Sequence, residues 1–303
     1  MIRGFNIMQN GKTNTSLLRN GLARLTAGII MIMACGLASV SFAEVDLTGD
    51  WAALYHEDIE DRLPGPELGD YTGLPITEAA RLRSDTWDAS MYSVLEHQCK
   101  PHPAGYVMRG PSNMRWWRDI DLLTQEVTAY HMVIEWLTPT RTIWMDGRPH
   151  PSRNARHTWE GFSTGRWDGD TLIVETTHMK AGYLRRIGMP YSDQTTMKEY
   201  FRRHGDYLNY VSIVYDPIYM TEPLIKSTNW RFDPGHQLTP MTCRPTAELD
   251  KDPDWIPVRG PEQGMLDSIE FSERWGIPLD LVRGGAASMY PGDEYPNFEA
   301  SQE

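Results

Sequence analysis

Four side chains near the middle of the chain could exchange protons with a substrate. They are His131, His157, Glu175 and His178. Histidine changes charge near neutral pH and can therefore act as a proton shuttle, while a glutamate can orient the histidine or act as a base. These four are the candidate catalytic residues for an acid–base reaction such as a hydration, an isomerisation or a hydrolysis.

The spacing of Glu175 and His178 restricts such a site. Glu175 belongs to a predicted strand, 170–177, which His178 directly follows, and along a strand successive side chains point to opposite faces. Residues three apart therefore face the same cavity only if the strand ends or bulges between them. The alternative is that Glu175 forms a cross-strand ion pair without a catalytic role.

Five further residues are candidates for ligand binding. Aromatic residues are numerous, with 11 Trp and 14 Tyr, and those not needed for the core could line a pocket for an apolar or aromatic molecule. Strand 125–136 has a more apolar face, which contains Tyr130, and a second face with His131 and Glu135. The predicted ligand-binding residues are Tyr130, Glu135, Trp144, Trp159 and Arg203.

The sequence predicts no metal or cofactor. Its nine histidines lack the helical spacing of zinc proteases, and there is no phosphate-binding loop, dinucleotide fingerprint or Gly-x-Ser-x-Gly elbow. A metal site formed by His150, His157 and His178 is the alternative, because the first two lie in a long loop, 146–160, that could reach the mouth of a barrel.

The elements that must position these residues are mostly strands. β-Branched and aromatic runs alternate with turn residues, notably Asp146-Gly147 and Asp168-Gly169, as in antiparallel hairpins. The pattern predicts a mainly β fold, an antiparallel meander closed as a barrel or folded as a sandwich, with short helices at 77–83 and 265–275. Residues 97–112 are predicted to be loop. The candidate strands are 45–51, 113–118, 125–136, 140–145, 160–167, 170–177, 194–204, 207–216 and 222–232.

The chain divides into three predicted parts. Residues 1–43 have a basic start, an apolar run and a small-x-small end at Ala43, as in a signal peptide. Residues 44–244 form the β domain, with an insert rich in Pro and Gly near 60–75. Residues 245–303 are a Pro-rich linker, a short helix and a disordered tail. Export to the periplasm or the outside of the cell follows, and lipidation at Cys35 is the alternative to a cleaved, soluble form.

Charge restricts the partners. The chain has a net charge of −12, and because residues 1–43 contain four basic and no acidic residues, the remainder has −16. So negative a protein is not expected to bind nucleic acid or an anionic membrane. The expected partner is a small-molecule ligand, with no membrane association unless Cys35 is lipidated.

Two cysteines remain after residue 43. Cys99 and Cys243 are an even pair in an oxidising compartment, which predicts a disulfide. The alternative is a metal role for Cys99, because His97 and His102 lie beside it.

Several segments resemble a largely uncharacterised family of exported bacterial proteins with a lipocalin-like, or calycin-type, appearance. The segments are Asp46–Trp51, His97–His102, Gly161–Leu172 and Gly284–Pro291. The resemblance implies a β-barrel domain in the periplasm or outside the cell, and it implies no catalytic residues.

Two functions are compatible with these patterns. The first is an exported β-barrel protein that binds a small apolar or aromatic ligand. The second is an acid–base enzyme on the same scaffold, with the four candidate residues in its cavity.

Overall fold

Nine strands form a closed barrel, in the order β1-β11-β10-β9-β6-β5-β4-β3-β2, and β1 closes it by pairing with both β11 and β2. Every predicted strand is present, so the mainly β barrel is confirmed. Strands β7 (Gly182–Tyr183) and β8 (Pro190–Tyr191) form a separate hairpin. The barrel strands are β1 (Gly49–Ala53), β2 (Met114–Ile120), β3 (Val127–Ile134), β4 (Arg141–Trp144), β5 (Phe162–Asp168), β6 (Thr171–Thr177), β9 (Thr196–His204), β10 (Tyr207–Tyr215) and β11 (Leu224–Phe232).

The computed structural model describes residues 45–56, 65–109, 112–135, 137, 139–239, 242–246, 255 and 257–289. The predicted signal peptide, 1–43, and Cys35 lie outside the described residues, as do part of the Pro/Gly-rich insert and the last residues of the tail. Export and the three-part division of the chain therefore stay predictions. Among the described residues, no helix has the length and apolar character of a membrane span.

Of the two Asp-Gly pairs, one forms the predicted hairpin turn and the other does not. Asp168-Gly169 forms the predicted hairpin, with Asp168 opposite Thr171 and Gly169 at a φ of 60°. Asp146-Gly147 does not connect a hairpin, because β4 and β5 are parallel and pair Ile143 with Ser163. Parallel neighbours require a long crossover, which explains the loop that carries His150 and His157. The prediction of an entirely antiparallel meander is wrong at this one pair.

Aromatic side chains fill the barrel interior. Trp116 contacts Tyr130 and Phe201 edge to face, with ring centroids 6.0 and 5.0 Å apart, and Tyr210 meets Trp230 at 6.0 Å. All of these residues are buried. The apolar face of β3, with Tyr130, points inward as its alternation predicts. Because these rings occupy the space between the strands, the barrel interior is a packed core.

A buried ion pair crosses this interior. Arg141 on β4 donates from Nη1 to Glu199 Oε1 on β9 at 2.9 Å and also contacts Oε2, and both side chains are at most 2% exposed. Arg141 further donates to Ser163 at 3.2 Å and Thr176 at 2.7 Å, and Tyr210 donates to Glu199 at 2.9 Å. The pair thus connects β4, β5, β6, β9 and β10.

The described residues form six helices outside the barrel strands, five of them with eight residues or fewer and one with 15. Thr77 caps the first, as predicted, by accepting from Ala80 N at 3.3 Å, and Gly276, at a φ of 68°, ends the fourth. The fourth begins at Pro261, earlier than predicted. The expectation that 97–112 is entirely loop is wrong, because two single-turn helices involve this segment. The helices are α1 (Glu78–Asp85), α2 (Leu95–Gln98), α3 (Ala104–Val107), α4 (Pro261–Trp275), α5 (Leu279–Val282) and α6 (Ala286–Met289), with a 3₁₀ turn at Ala89–Ser93.

The predicted Cys99–Cys243 disulfide is present and joins residues 144 apart in sequence. Next to it, the Gln98 side chain donates to Thr246 O and accepts from Thr246 N, both at 2.7 Å. The disulfide fixes the end of α2 to the segment 242–246. Since the sulfur of Cys99 is bonded to Cys243, the alternative metal role for Cys99 is wrong.

The buried ion pair generates a stability prediction. Arg141→Met leaves Glu199 buried without its counter-charge and should lower the free energy of unfolding by about 3–5 kcal/mol. The double variant Arg141→Met/Glu199→Leu removes both charges and should recover a large part of that loss. Urea denaturation of the two variants and the wild type measures this. A double variant no more stable than Arg141→Met would contradict the prediction.

Candidate functional site

A pocket of about 390 Å³ lies among the connections between strands. Its walls come from residues 83–106, Trp159, residues 181–193 and residues 218–219. None of the rings that fill the barrel interior lines it. Its aromatic side chains are Tyr106, Trp159, Tyr183, Tyr191 and Tyr219.

Helix α3 and His102, two residues before it, shape one wall of the pocket. Pro103 precedes the helix, and His102 stacks on Tyr106 with ring centroids 4.9 Å apart. Burial, and then the charge of the nearby Arg109, lowers the pKa of His102 to about 4. His102 is therefore neutral at pH 7 and contributes a flat, uncharged polar surface.

The β7–β8 hairpin shapes an adjoining wall. Gly182 lies directly against Tyr191, since a Cβ at Gly182 would be 3.1 Å from the Tyr191 hydroxyl and 2.9 Å from Pro103. Any larger residue would push the hairpin away from Pro103. The hairpin is held by Leu184, which donates its N–H to Met189 O at 2.8 Å.

Two buried polar groups, one from the pocket wall and one from the residue after Trp159, have no hydrogen-bond partner in the described part of the chain: the Tyr191 hydroxyl and Glu160 Oε1. Burial raises the pKa of Glu160 to about 8; Arg141 opposes this shift and Glu199 adds to it. Burial, then proximity to Glu160, raises the pKa of Tyr191 well above its usual value. At neutral pH both groups are protonated and able to donate a hydrogen bond.

The sequence pattern does not single out Glu160 or Tyr191. Glu160 follows Trp159 at the start of a predicted strand, but its pKa depends on burial and on Arg141 and Glu199, which come from distant segments. Tyr191 lies between β6 and β9, in a two-residue strand that no periodicity can reveal. The sequence does contain one signal. The alternation of Met197, Glu199 and Phe201 predicts that Glu199 lies on the inward face of β9.

The structure brings together His157 and His178 of the four candidate catalytic residues. Their rings lie 5.2 Å apart, beside a second, shallower pocket. Strand β6 ends at Thr177, and His178 has a φ of 58°, so its side chain leaves the strand's alternation. This is the strand end that the spacing of Glu175 and His178 required.

A chain of hydrogen bonds runs through this second pocket. His178 Nε2 lies 2.9 Å from the carbonyl of Ser152, which can only accept, so this nitrogen carries the proton. In neutral His178, Nδ1 then accepts from the Thr177 hydroxyl at 2.7 Å, and Thr177 accepts from His150 Nδ1 at 2.7 Å. Thr164 completes the chain by donating to His150 Nε2 at 2.8 Å.

This chain limits metal binding, because both ring nitrogens of His150 and His178 are already hydrogen bonded. Burial lowers the pKa of His150, which favours the neutral ring that the chain needs. No group of three or more His, Cys, Asp or Glu side chains suited to hold a metal ion occurs in the described ranges.

The other two candidate catalytic residues lie elsewhere. His131 lies 2.9 Å from Asp119 and 3.0 Å from Thr142, and it stacks on Trp117. Glu175 is exposed and lies 4.0 Å from Lys198, in the cross-strand ion pair that was the alternative to catalysis. The structure therefore does not bring the four candidates into one site.

Of the five predicted ligand-binding residues, Trp159 lines the main pocket. Trp144 lines an adjacent groove with Trp159 and Glu160 and stacks against Arg148 at 3.6 Å. Tyr130 is part of the barrel core. The remaining two lie elsewhere: Glu135 accepts from Ser112 at 3.1 Å, and Arg203 donates to Asp46 O at 2.6 Å and packs on Trp51.

Glu160 generates a pH prediction. In the unfolded chain its carboxyl loses a proton near pH 4.5, whereas the folded protein keeps that proton until about pH 8. Unfolding between these values releases a proton, so stability falls as pH rises. As pH rises from 4.5 to 8, the free energy of unfolding of Glu160→Gln should increase relative to wild type by on the order of a few kcal/mol.

The control is Glu175→Gln, at an exposed position on the barrel. The difference in free energy of unfolding between Glu175→Gln and wild type should change little over the same pH range. Denaturation curves at several pH values measure both variants. If the free energies of unfolding of Glu160→Gln and wild type changed with pH in parallel, the burial of an uncharged carboxyl would be contradicted.

Comparisons with family models, curated proteins and solved structures found no match to this chain. The closed nine-strand barrel is compatible with the lipocalin-like appearance, and membership of the family that the segments resemble stays an expectation.

Proposed function

We propose that this protein binds a small apolar or aromatic molecule in the pocket beside Trp159. The observation that carries the proposal is the pocket itself, of about 390 Å³, with five aromatic side chains in its walls. That volume is within the range of small-molecule sites, about 300–1,000 Å³, and mostly apolar walls with a few polar groups are typical of them.

Recognition in this proposal combines stacking with a few polar contacts. Trp159 and the tyrosines offer flat surfaces, and such rings attract other rings by offset or edge-to-face contacts. Neutral His102 provides a ring nitrogen without the desolvation cost of a charge. The hydroxyl of Tyr191, which has no partner within the described chain, could gain a hydrogen bond from a small shift on binding.

The proposal includes export of the protein. The basic and apolar pattern of residues 1–43 supports it, and the Cys99–Cys243 disulfide is consistent with an oxidising compartment. The acid–base alternative has less support, because His131 and Glu175 lie apart from His157 and His178.

Titration of tryptophan fluorescence with a panel of apolar and aromatic compounds tests the proposal. At least one compound should cause a saturable change in the wild type. Ala181→Trp places a large ring at an exposed position that lines the pocket, and it should weaken binding at least tenfold by filling the space. Trp117→Phe, which changes a ring stacked on His131, is the matched control and should bind as wild type does.

Isothermal titration calorimetry of the same variants separates true binding from optical effects. Melting temperatures establish that each variant is folded. The absence of any saturable signal across the panel would refute the proposal, as would equal affinity in Ala181→Trp and wild type.

A further inference from the structure

We infer that the pocket selects aromatic molecules that carry a negative charge, such as a carboxylate, a sulfonate or a phenolate. The inference rests on the proposed function, since it specifies the ligand of the same pocket. The carrying observation is a group of three cationic side chains, called here the cation group: Arg83 and Lys100, which line the pocket, and Lys180, which lies over the ring of Trp159 in the pocket wall.

The cation group is concentrated around one ring. Lys100 Nζ lies 5.3 Å and Lys180 Nζ 4.7 Å from the centroid of Trp159. Arg83 and Lys100 both line the pocket. Two ammonium groups are therefore within cation–π range of the ring that forms the pocket wall.

No member of the cation group forms an ion pair within the described ranges. Other basic residues of the chain do: Arg115 pairs with Asp50 at 2.6 Å, and Arg202 with Asp170 at 2.8 Å. The whole chain has 41 acidic and 29 basic residues. In so acidic a chain, three cations gathered around Trp159 without an ion pair among the described residues are unexpected from the composition.

The like charges of the cation group repel one another, and a bound anion would reduce that repulsion. Lys100 is half-buried, and its pKa is lowered first by burial and then by Lys180 and Arg83. A ring faces the two lysines, and the attraction of a ring for a cation does not neutralise its charge. Asp193 also lines the pocket and has no ion pair with the cation group in the described chain. An anionic group on a ligand would supply the missing counter-charge.

The aromatic part of the ligand follows from the same walls. A planar ring could stack on Trp159 or a tyrosine while its charged substituent faces Lys100 or Arg83. A hydrogen bond to a charged group contributes more than a neutral one, and the difference corresponds to about a tenfold preference. Selectivity between ligands of equal shape should then depend on charge.

Three isosteric probes test this: 2-naphthoate, 2-naphthamide and 2-naphthylmethylammonium. Calorimetry at low salt should show 2-naphthoate binding about tenfold tighter than the amide, with the ammonium compound weakest. Lys100→Met should abolish most of this preference, and Lys100→Arg should keep it. Lys198→Met, which removes a lysine paired with Glu175 on the outside of the barrel, is the matched control and should keep it too.

Each result decides between the two proposals. Equal affinity for the three probes, with loss of all binding in Ala181→Trp, would overturn the charge selectivity and leave the proposed function standing. No binding of any probe or panel compound would overturn both. A preference lost equally in Lys100→Met and Lys100→Arg would trace it to side-chain packing, which also overturns the role of charge. Melting temperatures confirm folding throughout.

Discussion

The buried pair of Arg141 and Glu199 is the interaction on which the rest of the structure depends. Removing two charges from water is costly, and the cost is offset only where every remaining polar atom is satisfied. Ser163, Thr176 and Tyr210 meet that requirement from three further strands. Five strands must therefore hold their register for the pair to exist. The aromatic rings around it exclude water and leave the barrel interior filled, so the pocket beside Trp159 lies among the connections between strands.

The same pair influences Glu160, whose protonation depends first on its burial. Burial raises the pKa of the Glu160 carboxyl, Arg141 opposes that shift and Glu199 adds to it. Glu199 accepts both of the hydrogen bonds that Arg141 donates to a carboxylate, and Glu160 Oε1 has no hydrogen-bond partner in the described part of the chain. Glu160 adjoins Trp159 in sequence and lines a groove with it. An uncharged carboxyl therefore lies beside a ring that also lines the pocket.

Local patterns in the sequence predict most of the fold. Alternation and the Asp168-Gly169 turn define the strands, and the inward position of Glu199 follows from its neighbours Met197 and Phe201. The parallel β4–β5 pair was not predictable, because partners across a long crossover leave no local signal. The candidate site was predicted in part: Trp159 lines the pocket, and His157 meets His178. Glu160 and the cation group depend on side chains brought together from distant segments, which spacing along the chain does not encode.

The disulfide affects the pocket wall and the barrel to different extents. It fixes α2, within the 83–106 wall, to the segment 242–246, whereas the barrel strands close by their own hydrogen bonds. Oxidation therefore acts on the pocket wall more than on the barrel. A chain with Cys99 and Cys243 reduced would keep the hydrogen bonds that close the barrel and lose the covalent link that fixes this wall of the pocket. The redox state of two cysteines thus bears on the order of the pocket wall separately from that of the barrel.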